Sequence, residues 1–585
     1  MNPLTPISPG TATLSLEAAM ELAHSHHAAG RLEQAERVYR NILKAHPNHP
    51  FALLHLGIMA LQVGRYDYAA ARFKSMLGKV PGNVAALVGL SNALSHMGDL
   101  SGAEGFARQA LQIDASNAAA HSSLGRIQLD RAMHAQATAS HARAFELEPN
   151  NPLHLTGLLH CMALDEAVDA QELARLHREF GKRFGEGVGA GLGVEAAPHS
   201  NARDPDKRLR IGFVSGDLRH HAVAFFIEPV WREFDRTQVE LFAYSNSRSE
   251  DGMSERLKAL VDHWRTVIAM SDEQLAQRVR DDGIDMLIDL SGHTVGNRLL
   301  AFARRPAPIQ ASWIGYPETT GLAAMDYYLA DPHSAPPGLI DALYVEKIVR
   351  LPASVAFQPE ASAPEVNPLP ALQRGYVTFG SFNRLSKLGA SVLSTWSAIL
   401  RAVPDSRLIL VSVSDAAQAD ELRQRFAEQG VGADRLSFAP RMALAKYLAL
   451  HHEVDVLLDT FPYTGGTTTQ HALWMGVPVV TLAGLRRSER ISTANLTRVG
   501  LQDWSVTSTE AYVARAVAAA NDLQGLATLR AGLRERTAAS PLRQAGTVAR
   551  SLEIAFRRMW WRWCEGLPPV PLEVSLAQAL QRAPS

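Results

Sequence analysis

Two rhythms of apolar residues divide the chain. Up to about residue 184, apolar and small positions recur at helical spacing inside a longer period of about 34 residues. Leu22, Leu56, Leu90 and Leu124 coincide, each followed by a small residue (Ala23, Gly57, Ser91, Gly125). Gly30, Gly64, Gly98 and Ala132 fall in register, as do Ala35, Ala69, Ala103 and Ala137, while Pro47, Pro81, Ala115 and Pro149 close the units. A large residue beside a small one lets two antiparallel helices approach closely, Gly punctuates the turn and Pro ends the second helix. At least four helical pairs are predicted from Leu16 to Asn150, and Leu158 carries the leucine column into a degenerate fifth. A stack of this kind presents a concave groove suited to extended peptide or protein, so these repeats alone describe an interaction module.

From Leu209 the rhythm changes. LRIGFVS, VELFAYS, IDMLIDL and PIQASWIG are short apolar runs separated by amphipathic stretches such as SDEQLAQRVRDDG. After the Pro-rich PEASAPEVNPLPALQR the pattern restarts with YVTFGSF, SRLILVSV, RLSFAP, VDVLLD and PVVTL. Apolar strands alternating with helices predict parallel sheets covered on both faces. The repetition predicts two Rossmann-like domains facing a cleft. The expected segments are a flexible N-terminus (1–15), the repeat superhelix (16–184) and a linker (185–207). An N-terminal catalytic lobe (208–358), an interlobe linker (359–374), a C-terminal nucleotide-binding lobe (375–540) and a C-terminal helix and tail (541–585) follow. The alternating glycines of the first linker follow no strand and do not satisfy G-x-G-x-x-G, which excludes a dinucleotide loop there.

Ligands of open parallel sheets bind beyond the C-terminal strand ends, so those loops carry the candidate chemistry. After VDVLLD comes TFPYTGGTTTQHALW, whose Gly465 and Gly466 allow close backbone approach before a helix starting near Thr467. The free N–H groups and partial positive charge of a helix N-terminus suit a phosphate, with Thr467 or Thr468 as the expected N-cap. No Walker lysine follows the glycines. After YVTFGSF, the FNRLSK loop places Arg384 and Lys387 beyond another strand end of the same half. Two such loops make a polyphosphate site with a cationic partner. The D-x-D at Asp204–Asp206 lies in the linker and is expected to be solvated rather than metal-binding.

Composition narrows the field. With 58 basic against 59 acidic side chains, no bulk charge draws the chain to nucleic acid or acidic membrane. Cys161 and Cys564 lie far apart, which leaves neither a disulfide framework nor a thiolate zinc site. MNPLTPISPGTATLS lacks a basic segment followed by an apolar core, and no run of 18 apolar residues occurs, so no membrane span and a cytoplasmic location are expected. The pairs His26-His27 and His451-His452 have no accompanying carboxylate or Cys cluster and are read as ordinary surface or packing residues. RRMWWRWCEG, with Trp560, Trp561 and Trp563, is read as an aromatic-rich helix docking back on the cleft domains.

The order of repeats, RLRIGFVSGDLRHH, IDLSGHT, RPAPIQASWIGYPETTG, FNRLSK, LLDTFPYTGGTTTQHALWMGVPVVT and SPLR resembles the O-linked N-acetylglucosamine (O-GlcNAc) transferase family. Among its members it is most similar to the bacterial homologues with a short tetratricopeptide array and a transferase half of family 41 type. The resemblance covers about residues 16–566. It implies a GT-B fold and an inverting, metal-independent transfer of N-acetylglucosamine from UDP-GlcNAc to Ser or Thr hydroxyls of proteins. The repeat groove would present the acceptor. Lys387 matches the family lysine at the donor diphosphate, and Thr467 and Thr468 match the threonines that hold the phosphates. Tyr447 falls where eukaryotic members place a histidine against the uracil. His221 matches a histidine near sugar and acceptor proposed as general base; the donor's phosphate or a water chain are the alternatives for that proton. Pro317, Thr320 and Gly321 match the loop lining the sugar and acceptor, and His293 is a weaker candidate at another strand end. Departures gather around the nucleotide: His471 stands where the family's ribose-binding Asp is usual, Arg384 replaces a Gln of eukaryotic members, and Gly466 replaces a histidine. They leave two other readings in play, the same fold with another donor such as GDP-fucose, or a repeat scaffold whose transferase half senses a nucleotide-sugar without turnover.

Overall fold

The computed structural model describes residues 14–28, 30–186, 199–413 and 415–581. Most of the expected N-terminal segment 1–15, and 187–198 of the expected linker, lie outside the described residues. The backbone groups into two compact units. One is built on the chain up to Leu158 together with Asn246–Glu250 and Thr266–Leu275, and the other on Leu159–Ser245, Asp251–Arg265 and Ala276–Ser585.

The first unit is a run of helices, Leu16–Ala28, Leu32–Ala45, Pro50–Gln62, Tyr66–Leu77, Val84–His96, Leu100–Ile113, Ala118–Asp130 and His134–Leu147, packed pair on pair. The small-residue column explains the packing. A Cβ on Gly57 would stand 2.6 Å from the Phe73 ring and one on Gly125 2.6 Å from His141, so each ring packs directly against bare backbone. The turn column is equally specific. Gly30, Gly64, Gly98 and Ala132 all adopt positive φ (72°, 75°, 89° and 60°), the left-handed turn that glycine enters without steric cost. Asn83, Asp99 and Asn117 then cap the next helices by accepting from Ala86 N, Gly102 N and Ala120 N. The helices Pro152–Leu164 and Ala170–Phe180 continue the series, and the boundary between units falls within the former.

The second unit holds two parallel sheets. In the first lobe the strands are β1 (Leu209–Ser215), β2 (Val239–Ser245), β3 (His263–Thr266), β4 (Met286–Asp289), β5 (Ile309–Trp313), β6 (Tyr327–Ala330) and β7 (Lys347–Arg350). In the second they are β8 (Thr378–Ser381), β9 (Arg407–Val411), β10 (Leu436–Ala439), β11 (Val456–Leu458), β12 (Val479–Leu482) and β13 (Ser505–Val506), and β14 (Leu572–Glu573) returns to the first. The orders are β14-β7-β6-β5-β4-β1-β2-β3 and β10-β9-β8-β11-β12-β13. Both are doubly wound, and the order reverses between β1 and β4 and again between β8 and β11. Burial of β4 and β5 on both faces matches their unbroken apolar character.

The aromatic-rich C-terminal helix, Ala545–Cys564, does return to the first lobe. It packs on Ala222–Glu233, burying Leu552, Phe556 and Trp560 in the core of the first sheet. Trp563 stacks on Trp560 with ring centroids 4.7 Å apart, whereas Trp561 stays exposed. Between the lobes, the buried pair Arg498–Asp331 meets at 2.7 Å, Arg487 donates to Tyr328 OH (3.1 Å) and Ser488 N to Glu318 Oε1 (3.2 Å). Among the described residues, no helix is long and apolar enough to cross a membrane.

Candidate active site

Where the order of the second sheet reverses, two loops leave adjacent strand ends, Phe382–Leu388 after β8 and Asp459–Gly466 after β11. Topology thus brings Lys387 to the GGTTT segment, 77 residues away: its ammonium donates to Thr464 O at 2.7 Å and to Asn383 Oδ1 at 3.4 Å. The same ammonium lies over the Tyr463 ring, 4.5 Å from its centroid. Enclosure lowers its pKa to about 8, against the pull of Asp459 and with the push of Arg384. A cation held this way has exchanged water for neutral acceptors and a ring face rather than a paired carboxylate, so an anion beside it would be favoured.

The helix Thr467–Trp474 supplies the other half of the grip. Its N-cap is Gly466, without a side-chain cap bond, so the expectation of Thr467 or Thr468 at that position is corrected. Thr467 and Thr468 are instead its first two residues. The Thr468 hydroxyl turns to Asn383 Oδ1 (3.2 Å) and that of Thr469 to Ser492 Oγ (2.7 Å), which leaves the cap to a glycine and the first amides uncovered by any side chain. Gly465 is required by space, since a Cβ there would stand 2.5 Å from Thr469 Oγ1 and 2.6 Å from Thr468 Oγ1. Gly466 has room, its nearest neighbour being Ile491 Cγ2 at 3.6 Å.

The same helix also meets a cluster of aromatic and imidazole rings. Tyr447, on the helix Leu444–Ala449, meets His471 edge to face at 5.5 Å, and His471 meets Phe357 in the same way at 5.8 Å. Burial lowers His471 to about 4, so at neutral pH it is an uncharged ring able to hydrogen-bond but not to act as an anion. His451 stacks on Phe382 (4.2 Å) with Nδ1 directed at Tyr447 O and Leu448 O, and His452 bonds Glu365 O, so neither member of that pair is a metal ligand in this arrangement.

In the first lobe the reversal point lies between the loops after β1 and β4. His221 ends the first of these as the N-cap of Ala222–Glu233, its Nδ1 accepting from Val223 N at 3.3 Å and lying 3.7 Å from Asp217 Oδ2. Burial lowers its pKa; Asp217 works against that, while Arg384, Arg219 and Arg441 add to it. The field of Arg384, a residue of the other lobe, therefore reaches His221 and ties the two reversal points together. A neutral ring whose Nδ1 accepts carries its proton on Nε2, so the free edge of His221 is a donor in this geometry.

The remaining candidates lie inside the fold. His293 is fully buried; its Nε2 donates to Thr320 O (2.8 Å), and its ring packs against His177, Phe180 and Tyr316. Thr320 is also buried, its N–H and hydroxyl both on Glu346 Oε1. Pro317 offers its carbonyl to Tyr344 OH (2.5 Å), and Gly321 adopts φ 77° against the His177 carbonyl. Pro317, Thr320 and Gly321 lie in the loop after β5, and His293, in the loop after β4, braces it from within. The sequence reading missed Asn383, Asp459 and Tyr463, as well as His160, which burial lowers to about 4 with Arg384 and Lys387 adding to the effect. A carboxylate closing an apolar strand (VLLD) was the available signal for Asp459. Among the described residues, no group of three or more His, Cys, Asp or Glu side chains is arranged to hold a metal ion.

Comparison with known proteins adds a second line. The family described as Glycosyl transferase family 41 matches residues 194–358 and 369–552, and tetratricopeptide repeats match 20–82 and 60–127. The rice (Oryza sativa subsp. japonica) protein described as probable UDP-N-acetylglucosamine--peptide N-acetylglucosaminyltransferase SPINDLY is 38% identical over 431 residues, 72% of this chain and 46% of that protein. The Arabidopsis thaliana protein with the same description but designated SEC is 32% identical over 379 residues, 63% of this chain and 39% of that one. The chain thus spans less than half the length of these relatives. A solved structure of a mutant Thermobaculum terrenum O-GlcNAc transferase superposes with a TM-score of 0.81 at 34% identity, covering 94% of this chain and 98% of that one.

Proposed function

The chain belongs to glycosyl transferase family 41, and from that premise we propose that it is an inverting, metal-independent transferase moving N-acetylglucosamine from UDP-GlcNAc to Ser or Thr hydroxyls of proteins. The observation that carries this reading is the pairing, at one reversal point, of an enclosed Lys387 ammonium with a helix start that lacks any side-chain cap. A nucleoside diphosphate leaving group develops negative charge as the glycosidic bond breaks, and a positioned cation with free amides stabilises it. The acceptor oxygen bonds to the anomeric carbon as the bond from that carbon to the phosphate oxygen breaks, and UDP departs toward Lys387. Because the free edge of His221 donates in this geometry, His221 holds the sugar or acceptor oxygen. The hydroxyl proton passes to a phosphate oxygen of the donor or to water. Tyr447 and His471 would border the uridine, with His471 offering the ribose a neutral partner in place of a carboxylate. The repeat groove would present protein acceptors, in the cytoplasm.

Calorimetric titration of the full chain with UDP, UDP-GlcNAc and GDP, each with EDTA, tests this, followed by transfer to acceptor peptides read by mass spectrometry. Binding of both uridine ligands, silence with GDP and an N-acetylhexosamine adduct on peptide are expected. Preference for GDP would replace the donor, a change that His471 would accommodate without a lost carboxylate contact. Binding without any turnover would reduce the second unit to a sensor.

A further inference from the structure

Both lobes end the strand beyond their reversal point with a buried aspartate, and both use it in the same way. In the first lobe Asp289, closing β4, accepts from Ser291 N (3.0 Å), Gly292 N (2.8 Å) and Ser312 Oγ of the adjacent β5 (2.8 Å). In the second, Asp459 follows β11 and accepts from Thr460 N (3.0 Å), Gly465 N (2.8 Å) and Thr481 Oγ1 of the adjacent β12 (2.7 Å). So far this is a loop staple, duplicated with the fold. Asp459 has further partners: the Ser492 side chain hydrogen-bonds it, and Asn383 Nδ2 donates to its Oδ1 at 3.0 Å. The other end of the same amide, Asn383 Oδ1, accepts from Lys387 Nζ and from Thr468 Oγ1. Asn383 is 8% exposed and Asp459 2%, so these bonds are shielded from water. One amide therefore joins the carboxylate to both the cation and the hydroxyl of the grip.

We propose that Asn383 and Asp459 act together as positioning residues for the diphosphate, Asp459 fixing the Gly465 end of the loop and Asn383 carrying that anchorage across to Lys387 and Thr468. The proposal rests on the reading of Lys387 as the diphosphate's partner. The amide can be oriented only one way here. Its N–H side must face the carboxylate, which leaves its oxygen for the ammonium. Asp459 lies beyond hydrogen-bond reach of Lys387 in this arrangement, so its charge favours the ammonium without occupying it, and the ammonium stays available to a ligand. A direct ion pair would have blocked the site.

The test titrates the Lys387 amine in the ligand-free full chain, by its rate of acetylation against pH read by mass spectrometry, in the parent, Asn383→Ala and Asp459→Asn. The charged or titratable groups facing Lys387 are Asp459, Arg384, His160 and Tyr463. His160 is already neutral above pH 6 and Tyr463 is raised by burial, so the midpoint reports the Asp459–Asn383 couple. Both variants are expected to shift the midpoint down, Asp459→Asn by about one unit or more. In parallel, UDP affinity should fall tenfold or more in each, while uridine affinity, followed by ligand-observed NMR, stays within twofold. An unshifted amine midpoint in Asn383→Ala overturns the proposal, and so does an equal loss of uridine and UDP, which would mark a general collapse. Should the parent fail to bind UDP, the functional reading falls, and the amine midpoint still decides whether the couple controls Lys387.

Discussion

Lys387→Met separates what this lysine costs the fold from what it contributes to turnover. Its pKa falls from 10.5 to about 8, and each unit of depression is about 1.36 kcal/mol of unfavourable interaction with the charged form. Discounting for its partial exposure, the charged side chain destabilises the ligand-free protein on the order of 2–3 kcal/mol. The sign follows from proton linkage. Because the folded pKa lies below the unfolded one, the unfolded chain binds more protons between them, so the penalty is complete below about pH 8 and is relieved as pH rises toward about 10.4. Replacing the ammonium by a thioether of similar length removes the penalty at neutral pH, at the loss of the hydrogen bond to Thr464 O, worth about 1 kcal/mol, and of the longer one to Asn383 Oδ1, worth less. The ligand-free variant should therefore unfold at a higher temperature than the parent at pH 7, with the gap closing by pH 10. Turnover should move the other way, down about 10²–10³-fold, the usual effect of deleting one group aimed at developing negative charge.

The assay is a thermal scan of both proteins at pH 7 and pH 10, with and without UDP, beside a UDP-release measurement. In the parent, the free-enzyme rate should decline above about pH 8 as roughly nine-tenths of the ammonium is lost by pH 9. A variant less stable than the parent at pH 7, or one that keeps the parent's turnover, would refute the assignment of Lys387 as a strained cation awaiting a diphosphate.

Ala132 occupies a left-handed turn that costs a non-glycine residue about 1–2 kcal/mol, so Ala132→Gly, after its own entropy cost, should stabilise the repeats by about 0.5–1 kcal/mol in urea titration. Gly465→Ala should cost at least tenfold in UDP affinity because Thr468 and Thr469 block the added methyl, whereas Gly466→Ala should stay within threefold; calorimetry compares them. Burial would raise Asp331, but Arg498 and Ser334 outweigh it and hold its carboxyl well below the usual range, so this interlobe pair stabilises above about pH 4 and is lost in acid. Arg498→Met should then destabilise by about 3–5 kcal/mol, with Asp331→Asn in the same chain restoring part of it. Donor turnover should be unchanged by EDTA, and a loss restored by Mg²⁺ or Mn²⁺ would refute a metal-free reaction.

The repeat array was legible because its period is punctuated by residues with a steric reason to recur: a bare backbone under Phe73 and His141, and positive φ at each turn. The strands that read clearly were the buried, unbroken ones. β3 (HWRT), β6 (YYLA), β7 (KIVR), β13 and β14 were missed, being short and, apart from β6, carrying charged or polar residues like ordinary loops. The site was legible as loops but not as contacts. Asn383 and Asp459 are 76 residues apart and meet only because β8 and β11 are neighbours, which no local pattern encodes. The N-cap was misplaced by propensity: Thr is a good cap, but here Thr468 and Thr469 hydroxyls serve Asn383 and Ser492. His293 and Thr320 look like site residues at strand ends, yet they bond inward to each other's loop and to Glu346.

The two lobes share a strand order and a strand-end carboxylate, so what distinguishes their chemistry must lie in what was added to the common plan. Burial raises both carboxyls, but in the first Asp289, pushed up to about 6, has only a serine hydroxyl and two amides as partners, whereas Lys387 opposes the rise at Asp459. In the second, Asn383, Lys387 and Arg384 crowd the corresponding place, and the balance there is cationic. On electrostatic grounds the second lobe is the better host for an anion such as the proposed diphosphate. In the proposed reaction the first lobe would face the sugar and the incoming hydroxyl with a histidine whose pKa burial and Arg384 lower. That arrangement would avoid an imidazolium beside the anomeric centre, where positive charge would develop as the leaving group departs. Exchanging Arg384 for Gln would lift part of that restraint. The His221 titration, read by NMR, should then move up, and it should stay where it is if the two reversal points are electrostatically independent.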